Sequence, residues 1–317
     1  MDDSTLAAQA AIEAIVTGLR RADYVGNRRI ATALYLAQAL RKPILVEGPA
    51  GIGKTELAKA ASKHLGLPLI RMQCYEGLDE SKAIYDWKYG KQLLYTQILK
   101  DKLGESFRGT ETLPEALERL HGFGDIFFSE RFLEPRPLLK ALRQEGGSVL
   151  LIDEVDKSDQ EFEAYLLEIL SDYQVTIPEI GCIGAVTPPL VVLTTNNTRD
   201  MGDALKRRCL HLHIDYPDRA LEEQIVAVRV PDLGPRLRER LVGFVQSLRT
   251  LELKKLPSVS ETIDWARVLL LLHVSELAPE IVRETLNVLL KFERDIETAA
   301  RQTDFLLAGR AAAGDGR

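Results

Sequence analysis

Residues 48–55 read GPAGIGKT, between PILVE (Pro43–Glu47) and ELAKAASKHL (Glu56–Leu65). The stretch is a full match to G-x-x-x-x-G-K-[ST]. Gly48, Gly51 and Gly53 free the backbone to turn so that its N–H groups face inward, where they can meet phosphate oxygens. The helix beginning near Lys54 adds its positive end. Lys54 has the reach for β- and γ-phosphates, and the Thr55 hydroxyl suits Mg²⁺. A chance glycine-rich turn would need neither the apolar strand before it nor the helix after it. The expected cofactor-binding residues are therefore Gly48, Pro49, Ala50, Gly51, Ile52, Gly53, Lys54, Thr55 and Glu56, with ATP and Mg²⁺ as the cofactors.

Val149–Glu154 (VLLIDE) reads as a buried strand ending in two acids. Asp153, at its carboxyl end, is placed to share the metal with Thr55. Glu154 could orient or deprotonate an attacking water. Alone, two acids after a strand also describe a solvated turn; beside the glycine-rich loop they gain a chemical purpose. Asp156 reads as a solvated turn residue or as a contact behind the site.

Further apolar runs predict strands at Pro43–Val46, Leu67–Met72, Leu190–Thr194 and Leu210–Ile214. Helical spacing covers 4–20, 28–40 and the stretch after Ser158, where Ser158 and Glu161 form a capping-box pattern. Val175–Ile177 and Ala185–Val186 predict a hairpin. Strands alternating with helices give an α/β fold with a mostly parallel sheet flanked by helices. After Pro217 only helical patterns follow: Leu221–Val228, Leu237–Leu248, Thr262–His273 and Glu280–Ile296. The expected organisation is an N-terminal helix (1–24), a nucleotide-binding α/β domain (25–216), a smaller all-α lid (217–307) and a disordered tail (308–317). Residues 74–135 contain no clean amphipathic element.

The chain has 317 residues and a formal net charge of -6. This balance disfavours a broad nucleic-acid surface. Cys74, Cys182 and Cys209 lack the spacing of a zinc site and read as buried thiols. MDDSTLAAQA has no leader pattern. The longest apolar run, Val268–Leu272, is too short for a bilayer. The expectation is a cytoplasmic protein with no membrane partner. His211 and His213 share one strand face; a metal pair would lack a third ligand, so a structural role is expected.

The carriers GPAGIGKTELAKA, VLLIDEVDKSDQEFEAYLLEILSDYQVTIPE, PPLVVLTTNNTRD and DALKRRCLHLHIDYPD resemble the AAA+ ATPases, and within them the MoxR group. Leu151–Asp218 and QCYEGLDESKAIYDW (Gln73–Trp87) look most like its CoxD branch, linked to maturation of molybdenum–copper carbon monoxide dehydrogenase. The resemblance implies a P-loop core with inserts near 74–133 and 171–189 and a hexameric ring of identical subunits. It also implies a von Willebrand factor A domain partner and a protein client such as a molybdenum hydroxylase. Asn196, with Asn197 as the register alternative, matches the residue that positions the attacking water. Arg207 and Arg208 fall where the family carries its trans-acting arginine finger, although a basic cluster at a helix end is also ordinary. Tyr85 and Trp87 could grip a client or simply pack. Thr262 stands where many relatives carry a lid arginine, and Arg267 lies a turn or more beyond it.

Two other functions compete. A DNA-directed motor subunit would show salt-sensitive DNA binding. A nucleotide-dependent switch would tolerate loss of Glu154.

Overall fold

The computed structural model describes residues 3–106 and 128–308. Five parallel strands form the central sheet: β1 (Ile44–Glu47), β2 (Leu69–Gln73), β5 (Val149–Asp153), β8 (Leu190–Thr195) and β9 (Leu210–His213), in the order β2-β5-β8-β1-β9, while β3 (Tyr85–Trp87) and β4 (Leu133–Pro135) pair antiparallel outside it. Every residue of β5 and β8 is buried. That is what a parallel sheet covered on both faces requires, and why these strands read as continuous apolar runs. Alternate residues divide between two cores. Leu45, Leu150, Ile152, Val191 and Leu193 face one cluster, with Leu138, Leu142, Phe162 and Leu166. Ile44, Val46, Val149, Leu151 and Val192 face the other, with Ile15, Leu19, Leu34 and Leu57. The helix Asp3–Arg21 thus packs into the same core as the helices Arg28–Leu40 and Lys54–Leu65.

Beyond His213 the described chain is helical: Arg219–Arg229, Pro235–Leu248, Val259–Leu271, Pro279–Leu289 and Glu293–Leu307, around a separate core that includes Phe244 and Trp265. Among the described residues, no helix is long and apolar enough to cross a membrane.

Several expectations need correction. The helix Gln160–Asp172 is capped by Asp159, whose side chain accepts from Phe162 N, whereas Ser158 Oγ turns back to Val155 O. The hairpin pairs β6 (Gln174–Ile177) with β7 (Gly181–Gly184), because Gly181 at φ 100 closes the turn early. Glu280–Ile296 is two helices. Its sequence contains no breaker; instead Leu290 inserts into the helical core and buried Asp295 accepts from the backbone of Lys254 and Lys255. Tyr89–Ser106 is an 18-residue helix with little amphipathic character, so periodicity does not reveal it. Trp87 is buried, packed edge-on against Tyr85 and Phe128, and Tyr85 is half-buried; the pair packs. Residues 107–127, within the expected 74–133 insert, and the tail from 309 onward lie outside the described residues.

Candidate functional site

The carboxyl ends of four strands meet at one edge of the sheet. β1 runs into the glycine-rich loop, β5 ends at Asp153, β8 leads to Asn196, and β2 ends at Gln73. Register sets Gln73 beside Asp153 and Glu47 beside Thr195. Ligands of open parallel sheets bind at this end.

The loop leaves no room for a side chain at Gly48 or Gly51. A Cβ on Gly48 would lie 2.0 Å from Ile214 O, and one on Gly51 would lie 2.3 Å from Ser258 Oγ, at φ values of 153° and 75°. Gly51 is therefore pressed by the helical region. Its carbonyl accepts from both the backbone N and the Oγ of Ser260, each at 3.0 Å. Ser258 caps the helix Val259–Leu271 through a capping box with Glu261.

Lys54 is 7% exposed. Its ammonium donates to Gly48 O and Pro49 O, both at 2.6 Å, and to Asn196 Oδ1 at 2.8 Å. Burial lowers its pKa, against the opposing pull of Asp156, Asp153 and Glu154. The lysine is held by neutral acceptors that an anion could replace. Asn196 in turn donates Nδ2 to Glu154 Oε1 at 3.3 Å, so one amide links the cation to the second acid. Asn197, at φ 57, is exposed and folds onto Thr195; Asn196 is the inward-facing register.

Asp153 is 3% exposed. Thr55 Oγ1 donates to it at 3.1 Å (Oδ1) and 3.2 Å (Oδ2), and Thr194 Oγ1 donates to Oδ1 at 2.5 Å. Arg71 meets Oδ2 through Nη2 at 2.7 Å and Nε at 3.2 Å. Thr55 and Asp153 thus form a hard-oxygen cradle, suited to a Mg²⁺-like cation. Among the described residues no group of three or more His, Cys, Asp or Glu could hold a metal alone, so phosphate and water oxygens would complete the shell. His211 pairs with Glu47 Oε2 at 2.8 Å.

Glu154 sits at φ 56, ψ 50, a left-handed conformation that turns the chain off β5 at this one residue. Its Oε2 accepts from Gln73 Nε2 at 2.8 Å and Lys157 Nζ at 2.5 Å. Asp156 is not solvated: it is 4% exposed and accepts from Thr198 N and Oγ1. Burial alone would raise its carboxyl, but those bonds hold it below the ordinary range.

Two cavities adjoin the loop. A smaller one of about 230 Å³ is lined by Lys54, Thr55, Asp153, Glu154, Asn196 and Ser260, among others. A larger one of about 610 Å³ lies between Tyr24, Ile214, Tyr216, Arg229 and Ile263. Gly51, Gly53, Glu56 and Ser260 border both, and Arg229 reaches Glu56 at 3.3 Å across the larger one. Together they can accept a polyanionic tail joined to a larger, partly apolar group.

Arg207 and Arg208 are not brought to this edge. Their short helix precedes β9, whose Leu210 pairs with Ile44 at the start of β1. They lie one strand length away, ~13 Å at the usual rise. Both are exposed; Arg208 bonds Ser171 Oγ. Thr262 is fully buried and bonded to Glu222, and Arg267 pairs with Asp264 on the surface, so neither supplies a cation to the loop. Sequence reasoning missed Arg71, Gln73, Thr194 and Ser260. Only Gln73, at the carboxyl end of β2, has a position that could have pointed to the site.

The family model described as AAA domain (dynein-related subfamily) matches residues 43–209, more than half of the chain. An uncharacterized protein of Staphylococcus aureus strain USA300 is 28% identical over 238 residues, 73% of this chain and 76% of its own length. An uncharacterized protein of Staphylococcus epidermidis is 28% identical over 246 residues, 75% of this chain and 79% of its own. Among solved structures, a point mutant of Thermotoga maritima RuvB aligns with a TM-score of 0.48 at 17% identity, over 82% of this chain and 68% of that one.

Proposed function

Because this chain belongs to the AAA domain family, in its dynein-related subfamily, we propose that it is an ATPase that couples ATP hydrolysis to remodelling of a protein client. One observation carries the ATPase part of the reading: Lys54, Asn196 and Glu154, joined by hydrogen bonds, and the bonded pair Thr55 and Asp153 line a single cavity; the client comes from the sequence resemblance.

In this reading the loop amides and Lys54 bind the phosphate chain. Thr55 and Asp153 would hold Mg²⁺, which when bound would neutralise charge on the phosphate oxygens. Glu154 holds a water by its carboxylate and accepts its proton. Asn196 orients both that water and the terminal phosphate, since an amide both donates and accepts. The larger cavity takes the nucleoside. Residues 217–307 act as a lid, joined to the loop through Ser260 and Gly51 rather than through an arginine.

Arg207 and Arg208 are the proposed contacts to a neighbouring subunit's nucleotide in a ring, probed by doping mutant subunits into wild type. Their exposure and their distance from their own loop support this. A MoxR-type role beside a von Willebrand factor A domain partner, on a metalloenzyme client as in the CoxD branch, rests on the sequence resemblance alone. A pull-down with Glu154→Gln tests it.

Glu154→Gln should bind ATP as wild type does and hydrolyse it about 10²–10⁴-fold more slowly, the range of a lost general base. Steady-state phosphate release with a parallel binding assay decides this. Undiminished turnover would refute the role of Glu154.

A further inference from the structure

Asp153 is a buried carboxylate, and an ionised carboxylate there needs a compensating charge. Lys54 does not supply it by contact, because its three protons go to Gly48 O, Pro49 O and Asn196 Oδ1. Arg71 does. Its guanidinium takes Asp153 Oδ2 by two N–H groups, at 2.7 and 3.2 Å. Arg71 reaches in from the surface: its side chain is 50% exposed, against 4% for Asp153. The same Nη2 also donates to Gln73 Oε1 at 2.6 Å, and Gln73 Nε2 donates to Glu154 Oε2 at 2.8 Å. Arg71 thus grips the metal-site acid directly and the second acid through one amide.

We propose that Arg71 is a resident counter-cation of Asp153 which a divalent metal ion must displace, so that metal loading is opposed by Arg71. This rests on the reading of Thr55 and Asp153 as the metal site. The physical case is direct. Thr194 takes Oδ1 at 2.5 Å and Thr55 divides its hydroxyl between the two oxygens, so the charge on Oδ2 is met chiefly by Arg71, which occupies the position a metal or its bound water would need. A guanidinium and a dication within a few ångströms repel. Arg71 can leave without stranding a buried charge, because half of it is already in water. Arg71 is in this view a positioning residue.

The experiment measures affinity of the full chain for a fluorescent ATP analogue in EDTA and in Mg²⁺. The ratio of the two reports metal–nucleotide coupling. Arg71→Gln and Arg71→Met should raise that ratio about fivefold or more relative to wild type, chiefly by tighter binding in Mg²⁺. Arg71→Lys, which keeps a positive charge, should stay within about twofold. Gln73→Leu leaves Arg71 on Asp153 and should leave the ratio at the wild-type value. Circular dichroism melts identify any variant that does not fold; with two neutral substitutions of different shape, one folded variant suffices to decide. An unchanged ratio in a folded neutral variant overturns the proposal, as does an equal rise in Arg71→Lys. Lys54→Ala run in parallel separates the two levels. If it binds the analogue as wild type does, the phosphate-loop reading fails; if it binds weakly while the Arg71 variants keep the wild-type ratio, only the role of Arg71 fails.

Discussion

Lys54 and Arg249 are both cations of which only 7% is exposed, Lys54 counted as a residue and Arg249 by its side chain, yet they are held in opposite ways. Lys54, at the sheet edge, is bonded to two carbonyls and an amide oxygen, and burial lowers its pKa. Arg249, in the helical region, is locked by a forked pair of bonds to the fully buried Glu222, each 2.7 Å, and stacks over Tyr216. Thr262 and Gln246 fill the remaining valence of Glu222, and Arg249 Nε fixes Pro257 O, one residue before the Ser258 cap. In the proposed reading, a cation that meets an incoming anion is kept on neutral, exchangeable partners. A cation that must hold two segments together is given a permanent opposite charge. The two arrangements meet at Gly51, because the segment Arg249 anchors is the one that presses on the phosphate loop.

The sharpest way to break this contrast is to strand one charge. Arg249→Met leaves Glu222 buried and unpaired and should cost about 3–5 kcal/mol in chemical denaturation. Adding Glu222→Leu should restore most of that, because a well-packed apolar pair can replace a buried ion pair. Equal loss in the single and double variants would show that packing, not charge, makes the lock. Lys54→Ala should behave in reverse, with nucleotide affinity falling about a hundredfold through lost charge-assisted bonds and the denaturation midpoint nearly unchanged.

The sign of the pH effect follows from the lowered pKa. Between the depressed value in the folded chain and the ordinary 10.5, the unfolded chain binds more protons at Lys54. Stability therefore carries a penalty below that window and regains it as pH rises through it. Lys54→Met should remove that alkaline gain; an unaltered slope would mean that Lys54 is not desolvated. The smallest expected effect is at the junction. Ser260→Ala removes one of two bonds to Gly51 O and should weaken nucleotide binding only a few-fold, near the worth of one hydrogen bond. A larger loss would make Ser260 itself a ligand.

How much could be read in advance divides along the same line. The glycine loop, Lys54, Thr55, Asp153 and Glu154 are legible because phosphate chemistry demands particular residue types at fixed local spacing, between strands buried on both faces. The helix Tyr89–Ser106 is not, since its apolar side chains Tyr89, Leu93, Leu94 and Ile98 are exposed and follow no stripe. The break at Leu290–Phe292 is equally invisible, because Leu290 and Asp295 hold it through partners outside the segment: the helical core, and the backbone of Lys254 and Lys255, 41 and 40 residues away. Asp156 misled for a related reason: its partner Thr198 lies 42 residues away.

From its order of residues alone the chain specifies a parallel sheet, a phosphate loop at the end of its first strand and two acids at the end of another, because each is encoded within a dozen neighbouring positions. Which side chains those groups touch was decided by the folded arrangement. Arg71 reaches Asp153 across 82 residues and Ser260 reaches Gly51 across 209. Such partnerships depend on strand register and on how the helical region seats against the loop, and local periodicity carries information about neither.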